Sequence, residues 1–268
     1  MPNISVPTGF AFRTFPAPLW TPADASANLI AWWDASDAST VTESSGQVSE
    51  WRDKGPNGHD LQTVGGGSPE WGLGAQINGL NVMHYASTFD NMEAVVSPSQ
   101  SFTHGMAITA GMAKTAGDYP AYFHMNSTDG LWVLDMRMQC DPTSGRIANA
   151  FQLNGTNYNI TSSYSAELAE EVAMIDSFWW DGLAAYNYAN GGSVTASVDV
   201  PDGLTFIVDN FGVGRYNNTP RNYQGELVLY NSVDTALRQK CEGYLAWKWG
   251  TVGNLDASHP YKHAAPTI

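Results

Sequence analysis

The clearest pattern of apolar and polar positions lies near the end of the chain. Placed at 100° per residue, Val233, Leu237, Cys241, Tyr244 and Leu245 share one stripe of a helix. Trp247 and Trp249 flank that stripe, and Arg238, Gln239, Glu242 and Gly243 fall on the far side. Asp234 suits the N-cap and Gly250 the C′ position, so the segment DTALRQKCEGYLAWKWG carries a start and a stop signal. Five apolar residues on one stripe need burial, and a sheet is the large partner this chain offers.

Upstream the period changes from 3.6 to 2. Met106, Ile108, Ala110 and Met112 alternate with smaller or polar neighbours. Trp132, Leu134, Met136 and Met138 face one way and Asp135, Arg137 and Gln139 the other. Strands are also predicted over 29–34, 81–85, 146–154, 193–200, 204–211 and 223–230. Segments 172–181 and 183–190 read as a hairpin across Asp181-Gly182. Ten to twelve strands, separated by Gly, Pro, Asn and Asp clusters, predict an all-β fold of two packed antiparallel sheets with one C-terminal helix docked on it. Trp32 and Trp33 are adjacent, so one should enter the core while the other meets solvent, a neighbouring subunit or the N-terminal segment. The glycine-rich stretch 64–76 reads as a long mobile loop.

Residues 1–21 differ from the rest. Pro2, Pro7, Pro16 and Pro18 favour extended backbone, and Phe10, Phe12, Phe15 and Trp20 stand among them. The expectation is an aromatic arm that anchors on a neighbouring subunit, followed by one domain over 22–268. Disordered leaders are poor in aromatics, which argues against a mere leader.

Composition narrows the classes. The chain has 268 residues, 43% of them hydrophobic and 14% charged, which suits one large loop-rich sandwich. A net charge of −14 with 12 Lys and Arg argues against nucleic acid, whose binding needs phosphate neutralisation, and against anionic membrane. The N-terminus lacks the basic and apolar regions of a Sec signal, and no run is long enough to span a bilayer. Two cysteines, Cys140 and Cys241, do not make a disulfide framework, although one bridge between them stays open.

Candidate chemistry is sparse. Glycosidases of sandwich folds set two or three carboxylates at alternating positions on one strand, so that one serves as nucleophile and another as acid. Here the nearest run, Glu50 to Asp53, would put its two acids on opposite faces, and Asp135 has Arg137 beside it. There is no G-x-S-x-G, and Pro260 prevents a helix from aligning His259 with His263 for zinc. The loop holding Asp53, Asn57 and Asp60 has two readings: a calcium site, or an Asx-rich turn bonded to its own amides. No other cofactor is expected. Trp71, in the glycine-rich loop, and Trp51 are the candidates for stacking on a sugar, with core or subunit packing as the alternative.

An ordered series of segments carries a family resemblance: WTP at 20–22, LIAWWDASDAST at 29–40, VSEWRDKGPNGHDLQ at 48–62, INGLNVMHY at 77–85, WWDG at 179–182, NGG at 190–192, then GELVLYNS, LRQKCEGYLAWKWG and HPYK. The chain resembles the concanavalin A-like lectin/glucanase (laminin-G-like) jelly-roll domains of bacteriophage and marine-virus virion proteins. That resemblance implies a jelly roll with a role in attachment, structure or carbohydrate contact. Together with the missing catalytic set, the missing signal peptide and the aromatic arm, it leads to the expectation of a non-enzymatic protein on the outer surface of a tailed-phage particle, a capsid decoration protein or tail-fibre component. Its partners would be other capsid or tail subunits, further copies of itself (often trimers), and host glycans. A lectin-like adhesion module is the alternative and a glycoside hydrolase the third reading, because a fold alone does not fix function.

Overall fold

Alternation along each strand decides which side chains meet, and here it sorts the apolar residues into two separate clusters. The computed structural model describes residues 17–87, 89–113, 121–126, 132–137, 146–153, 156–163, 172–192, 196–199, 206–214 and 222–268. Phe10, Phe12, Phe15 and Cys140 lie outside the described residues.

The strands are β1 Leu29–Asp34, β2 Val41–Ser44, β3 Gln47–Trp51, β4 Leu61–Thr63, β5 Gln76–Ile77, β6 Leu80–Asn81, β7 Met83–Tyr85, β8 Met92–Phe102 and β9 Gly105–Ala113. They continue as β10 Ala121–Asn126, β11 Trp132–Arg137, β12 Arg146–Leu153, β13 Thr156–Ser163, β14 Ala173–Trp180, β15 Ala184–Ala189, β16 Ala196–Asp199, β17 Phe206–Val213 and β18 Asn222–Tyr230, before helix α1 Thr235–Lys248. A seven-stranded sheet runs β1-β18-β9-β14-β15-β16, with β7 also on β18. A nine-stranded sheet runs β13-β12-β11-β10-β17-β8-β4-β3-β2, and β5-β6 form a small separate ribbon. The two large sheets face each other as an antiparallel jelly-roll-like sandwich.

Between them lies an aromatic core. Trp33, Trp51, Phe102, Phe123, Phe178, Trp180 and Phe211 are enclosed there. The ring of Phe211 meets those of Trp33 at 6.2 Å, Phe102 at 6.4 Å and Phe123 at 5.8 Å. Each such side chain contributes about 1.5–3 kcal/mol on burial. Trp180 leaves room for itself: opposite it on β9 stands Gly105, where a Cβ would sit 2.7 Å from the indole.

The second cluster covers the outer face of the seven-stranded sheet. Met106, Ile108, Ala110, Ile175, Val228 and Tyr230 pack there against Cys241, Leu245 and Trp249 of the helical segment. The helix begins where Asp234 Oδ1 accepts the N–H groups of Ala236 and Leu237. It ends in a Schellman arrangement, with Gly250 at φ +70° and the Thr251 N–H bonded to the Ala246 carbonyl.

The structure extends or corrects several expectations. Eighteen strands are described rather than ten to twelve. The far side of the helix is not solvated: Glu242 meets Ser177 of β14, Arg238 lies over the ring of Tyr188 of β15, and the tail after Gly250 folds back over Gly243. A Cβ on Gly243 would stand 2.6 Å from that of Tyr261. Trp32, on the other face from Trp33, meets neither solvent nor a neighbour but this same helix layer, 6.4 Å from the ring of Tyr244. Trp20 is 3% exposed and packs edge-on against Tyr244, so it is part of the domain rather than an anchoring residue. Its segment is tied to the tail by the Trp20 N–H on the Pro266 carbonyl and by pairing of Leu19 with Thr267. Cys241 is a free, buried thiol, and burial pushes its pKa up.

Candidate binding face

With the helix and tail over the seven-stranded sheet, the outer face of the nine-stranded sheet reaches solvent at its β2-β3-β4-β8 end, where Thr42, Gln62 and Val95 are exposed. Trp51, Leu61, Met92, Phe211, Phe123 and Met125 point inward from it, so their neighbours along each strand point out. The strand register then lines up Thr42, Glu50, Gln62, Glu93, Gly212 and His124 across six adjacent strands. From Glu50 to His124 the row crosses four strand spacings, about 19 Å. A second row beside it brings Val95, Asn210 and Asn126 into register.

The polar groups of these rows hold one another. Glu50 accepts from Thr42 Oγ1 at 3.0 Å and Gln62 Nε2 at 2.8 Å. The Gln62 bond foremost, then that from Thr42, lowers the Glu50 pKa. Glu93 accepts from Asn91 Nδ2 at 2.9 Å and Asn210 Nδ2 at 3.0 Å. The carboxylate thereby fixes both amides, and the enclosed Oδ1 atoms of Asn91 and Asn210 find no partner among the described residues. An enclosed acceptor takes a hydrogen bond where a donor can reach it, from ordered water or from a ligand hydroxyl. His124 is 1% exposed, its ring seated over Gly212, where a Cβ would come within 1.8 Å of Nε2. Val95 beside them is 76% exposed.

Two acids do converge elsewhere. Asp34 on β1 and Glu226 on β18 face each other across the strand pair, under the helix. Glu226 is wholly buried and accepts four bonds: Trp32 Nε1 at 2.6 Å and Tyr244 OH at 3.0 Å on Oε1, Lys248 Nζ at 2.6 Å and Trp249 Nε1 at 2.9 Å on Oε2. Asp34 pairs with Lys248 at 2.7 Å and Lys54 at 2.9 Å. Burial foremost, and the charge of Asp34, raise the Glu226 pKa. Burial works against ionisation of Asp34 too, but Lys248, Ser36 and Lys54 together hold its pKa below the usual value. With every carboxylate oxygen engaged, the two acids tie the helix to the sheet. A similar cluster lies further along the helix, where Glu242 takes Ser177 Oγ at 2.7 Å, Arg238 Nη1 at 2.5 Å and His259 Nε2 at 3.3 Å.

The residues singled out from sequence fall in three places. Trp51 is fully enclosed in the core and presents no face to a sugar, which corrects its assignment to binding. Trp71 lies at the core's edge, half-buried, its indole N–H donated to the Ala35 carbonyl at 2.7 Å. Its loop is pinned by Glu70, which exchanges backbone bonds with His84. In the 53–60 loop, Asp53 Oδ1 accepts the N–H groups of Trp32 and Gly55, its Oδ2 that of His59, and Asp60 Oδ1 that of Asp53. Asn57 donates to the Ile30 carbonyl at 2.8 Å. These bonds run within the loop, as in an Asx turn, and across to Trp32 and Ile30 of β1. Among the described residues no group of three or more His, Cys, Asp or Glu side chains is placed to hold a metal ion.

Glu93, His124 and Asn210 were not singled out from sequence. The signal was present in Met92-Glu93-Ala94-Val95-Val96, a period-2 run, but Pro98 interrupts the strand that carries it.

One concavity lies on the opposite side of the molecule. Leu19, Trp20, Tyr244, Trp247, Lys248 and Pro266 line a largely apolar cleft of about 400 Å³ at the end of the helix.

No protein-family model matches the chain, and no curated protein matches it. Solved structures do resemble it. Domain 4 of AbnA, a GH43 extracellular arabinanase from Geobacillus stearothermophilus, in complex with arabinotriose, is similar at TM-score 0.58 and 14% identity, over 78% of this chain and 96% of that one. The botulinum neurotoxin serotype D ligand-binding domain in complex with N-acetylneuraminic acid is similar at TM-score 0.54 and 12% identity, over 81% of this chain and 51% of that one. Trypanosoma rangeli sialidase in complex with sialic acid matches at TM-score 0.54 and 10% identity, over 83% of this chain and 33% of that one. The chain spans about half the length of the neurotoxin domains it matches. At these identities the likeness concerns the fold: a two-sheet sandwich of the kind found in lectin-like domains.

Proposed function

We propose that this chain is a non-enzymatic, lectin-like module that binds glycan on the open face of the nine-stranded sheet. The observation that carries the reading is Glu93 clamped between Asn91 and Asn210 in a polar row across that face. Sugar hydroxyls both donate and accept, so their recognition needs carboxylates and amides fixed beforehand, which limits the ordering cost of binding. The sugars bound to the AbnA domain and to the neurotoxin domain support this direction. A non-catalytic role is supported by the acids themselves. Glu50 and Glu93 each accept two side-chain hydrogen bonds from their neighbours, and Asp34 and Glu226 are buried with their oxygens bonded.

The setting we propose is the outer surface of a tailed-phage particle, as a decoration or tail-fibre component in several copies. The ordered sequence series ending in EGYLAWKWG and HPYK supports it. Calcium in the 53–60 loop is part of the same proposal.

A glycan array tests the binding proposal. Retention of a restricted set of glycans is expected, lost in Glu93→Ala with the melting temperature kept, and compared with and without a calcium chelator. No retention on any glycan, or retention unchanged in Glu93→Ala, would sink it. New reducing ends after incubation with polysaccharide would replace it with the hydrolase reading. Antibody labelling of particles that contain the chain tests the setting.

A further inference from the structure

The apolar cleft at the end of the helix has no part in the glycan reading, and its chemistry is different. Leu19 and Trp247 on its rim are 65% and 41% exposed, two large apolar surfaces side by side at the mouth of the cleft. Its polar groups are already engaged. The Trp247 indole N–H donates to the Tyr261 carbonyl at 2.8 Å, and the Lys248 ammonium is held by Glu226 and Asp34. What remains for a ligand is hydrocarbon and aromatic surface, suited to another apolar side chain and poorly suited to a hydroxylated sugar.

The chain carries such side chains directly upstream. Sixteen residues precede Ala17, with Phe10, Phe12 and Phe15 among them. The chain enters the cleft's rim along a fixed course, since Leu19 pairs with Thr267 and the Ile268 N–H bonds the Pro18 carbonyl at 3.1 Å. Pro16 and Pro18 favour extended backbone on either side of themselves, which disfavours a reversal that would return Phe15 to the cleft of its own chain.

We infer that the cleft receives the phenylalanine-bearing N-terminal segment of a second copy of this chain. The contact is head-to-tail, arm of one copy into cleft of the next, and so joins copies into a closed ring or a chain.

Light-scattering mass measurement at micromolar concentration tests this with two full-length variants. Trp247→Glu spoils the cleft and keeps the arm. Phe10→Ala, Phe12→Ala and Phe15→Ala together spoil the arm and keep the cleft. The unchanged chain is expected to form a multimer and each variant to run as a single copy. An equimolar mixture of the two variants is expected to regain a two-chain complex, because each supplies what the other lacks. Leu19→Glu, at a still more exposed position, repeats the test should Trp247→Glu misfold by circular dichroism. A single-copy mass for the unchanged chain, a multimer retained by either variant, or a mixture that stays monomeric would overturn the inference. The first of these would mean that the segment docks on its own chain.

Discussion

Asp34 and Glu226, opposite each other on adjacent strands, share a single ammonium: Lys248 Nζ lies 2.7 Å from one carboxylate and 2.6 Å from the other. The helix is thereby riveted to the sheet at its C-terminal end. Lys248→Met would leave two buried acids facing each other with one cation fewer, and Lys54 reaches only Asp34. Breaking a buried pair from one side costs about 3–5 kcal/mol, and the partial exposure of Lys248 points to the lower figure. Urea denaturation of parent and variant measures it; a loss under about 1 kcal/mol would show that the clasp contributes little.

Gly243 gives a prediction of sign. In an exposed helix, Gly→Ala stabilises by about 1 kcal/mol. Here the new Cβ would meet Tyr261 at 2.6 Å. Gly243→Ala should therefore destabilise, by about 1–3 kcal/mol, as overpacking does. A raised melting temperature would mean that the tail is free to lift from the helix.

Acid should loosen the loop that follows β1. Bonds from Lys54 and Ser39 hold the Asp37 pKa at about 2. Unfolded, the group titrates near 3.9. A depressed folded pKa contributes stability above the unfolded value and loses it as pH falls toward 2. Asp34, also held low, acts in the same direction, whereas Glu226, held high, favours the fold at low pH and loses that contribution as pH rises through its folded pKa. The Asp37 increment is small, below about 1 kcal/mol, because the carboxylate is one-third exposed. The melting temperature should drop between pH 4 and 2, and less steeply in Asp37→Asn. Equal slopes would remove Asp37 from the account.

On the open face, Asn210→Ala removes an amide that Glu93 holds in place. Affinity for whichever glycan an array identifies should fall about tenfold, equivalent to 1.4 kcal/mol. Titration calorimetry reads it. An unchanged dissociation constant would move the contact surface away from the Asn210 row.

The helix and most long strands were legible because one period dominates each. β1 matches its expected span residue for residue, and the Asp181-Gly182 hairpin forms with Asp181 Oδ1 taking the Leu183 and Ala184 N–H groups. Short strands such as β4 carry too few residues to show a period, and β8 is interrupted by Pro98. The burial of Arg238 and Glu242 was hidden for another reason. Charged residues on a helix normally face water, and only the distant Ser177 and His259 turn this face into a satisfied interior. The open-face row was invisible because it is a property of register: Glu50, Gln62, Glu93 and His124 come from four separate strands, and pairing rather than spacing sets them side by side.

The layer of helix and tail makes the molecule two-sided. Its greasy notch sits behind and its hydrophilic ladder in front, with the whole thickness of the sandwich between them. A body built this way can be fastened from the rear by its fellows while the front stays free to meet whatever approaches from outside.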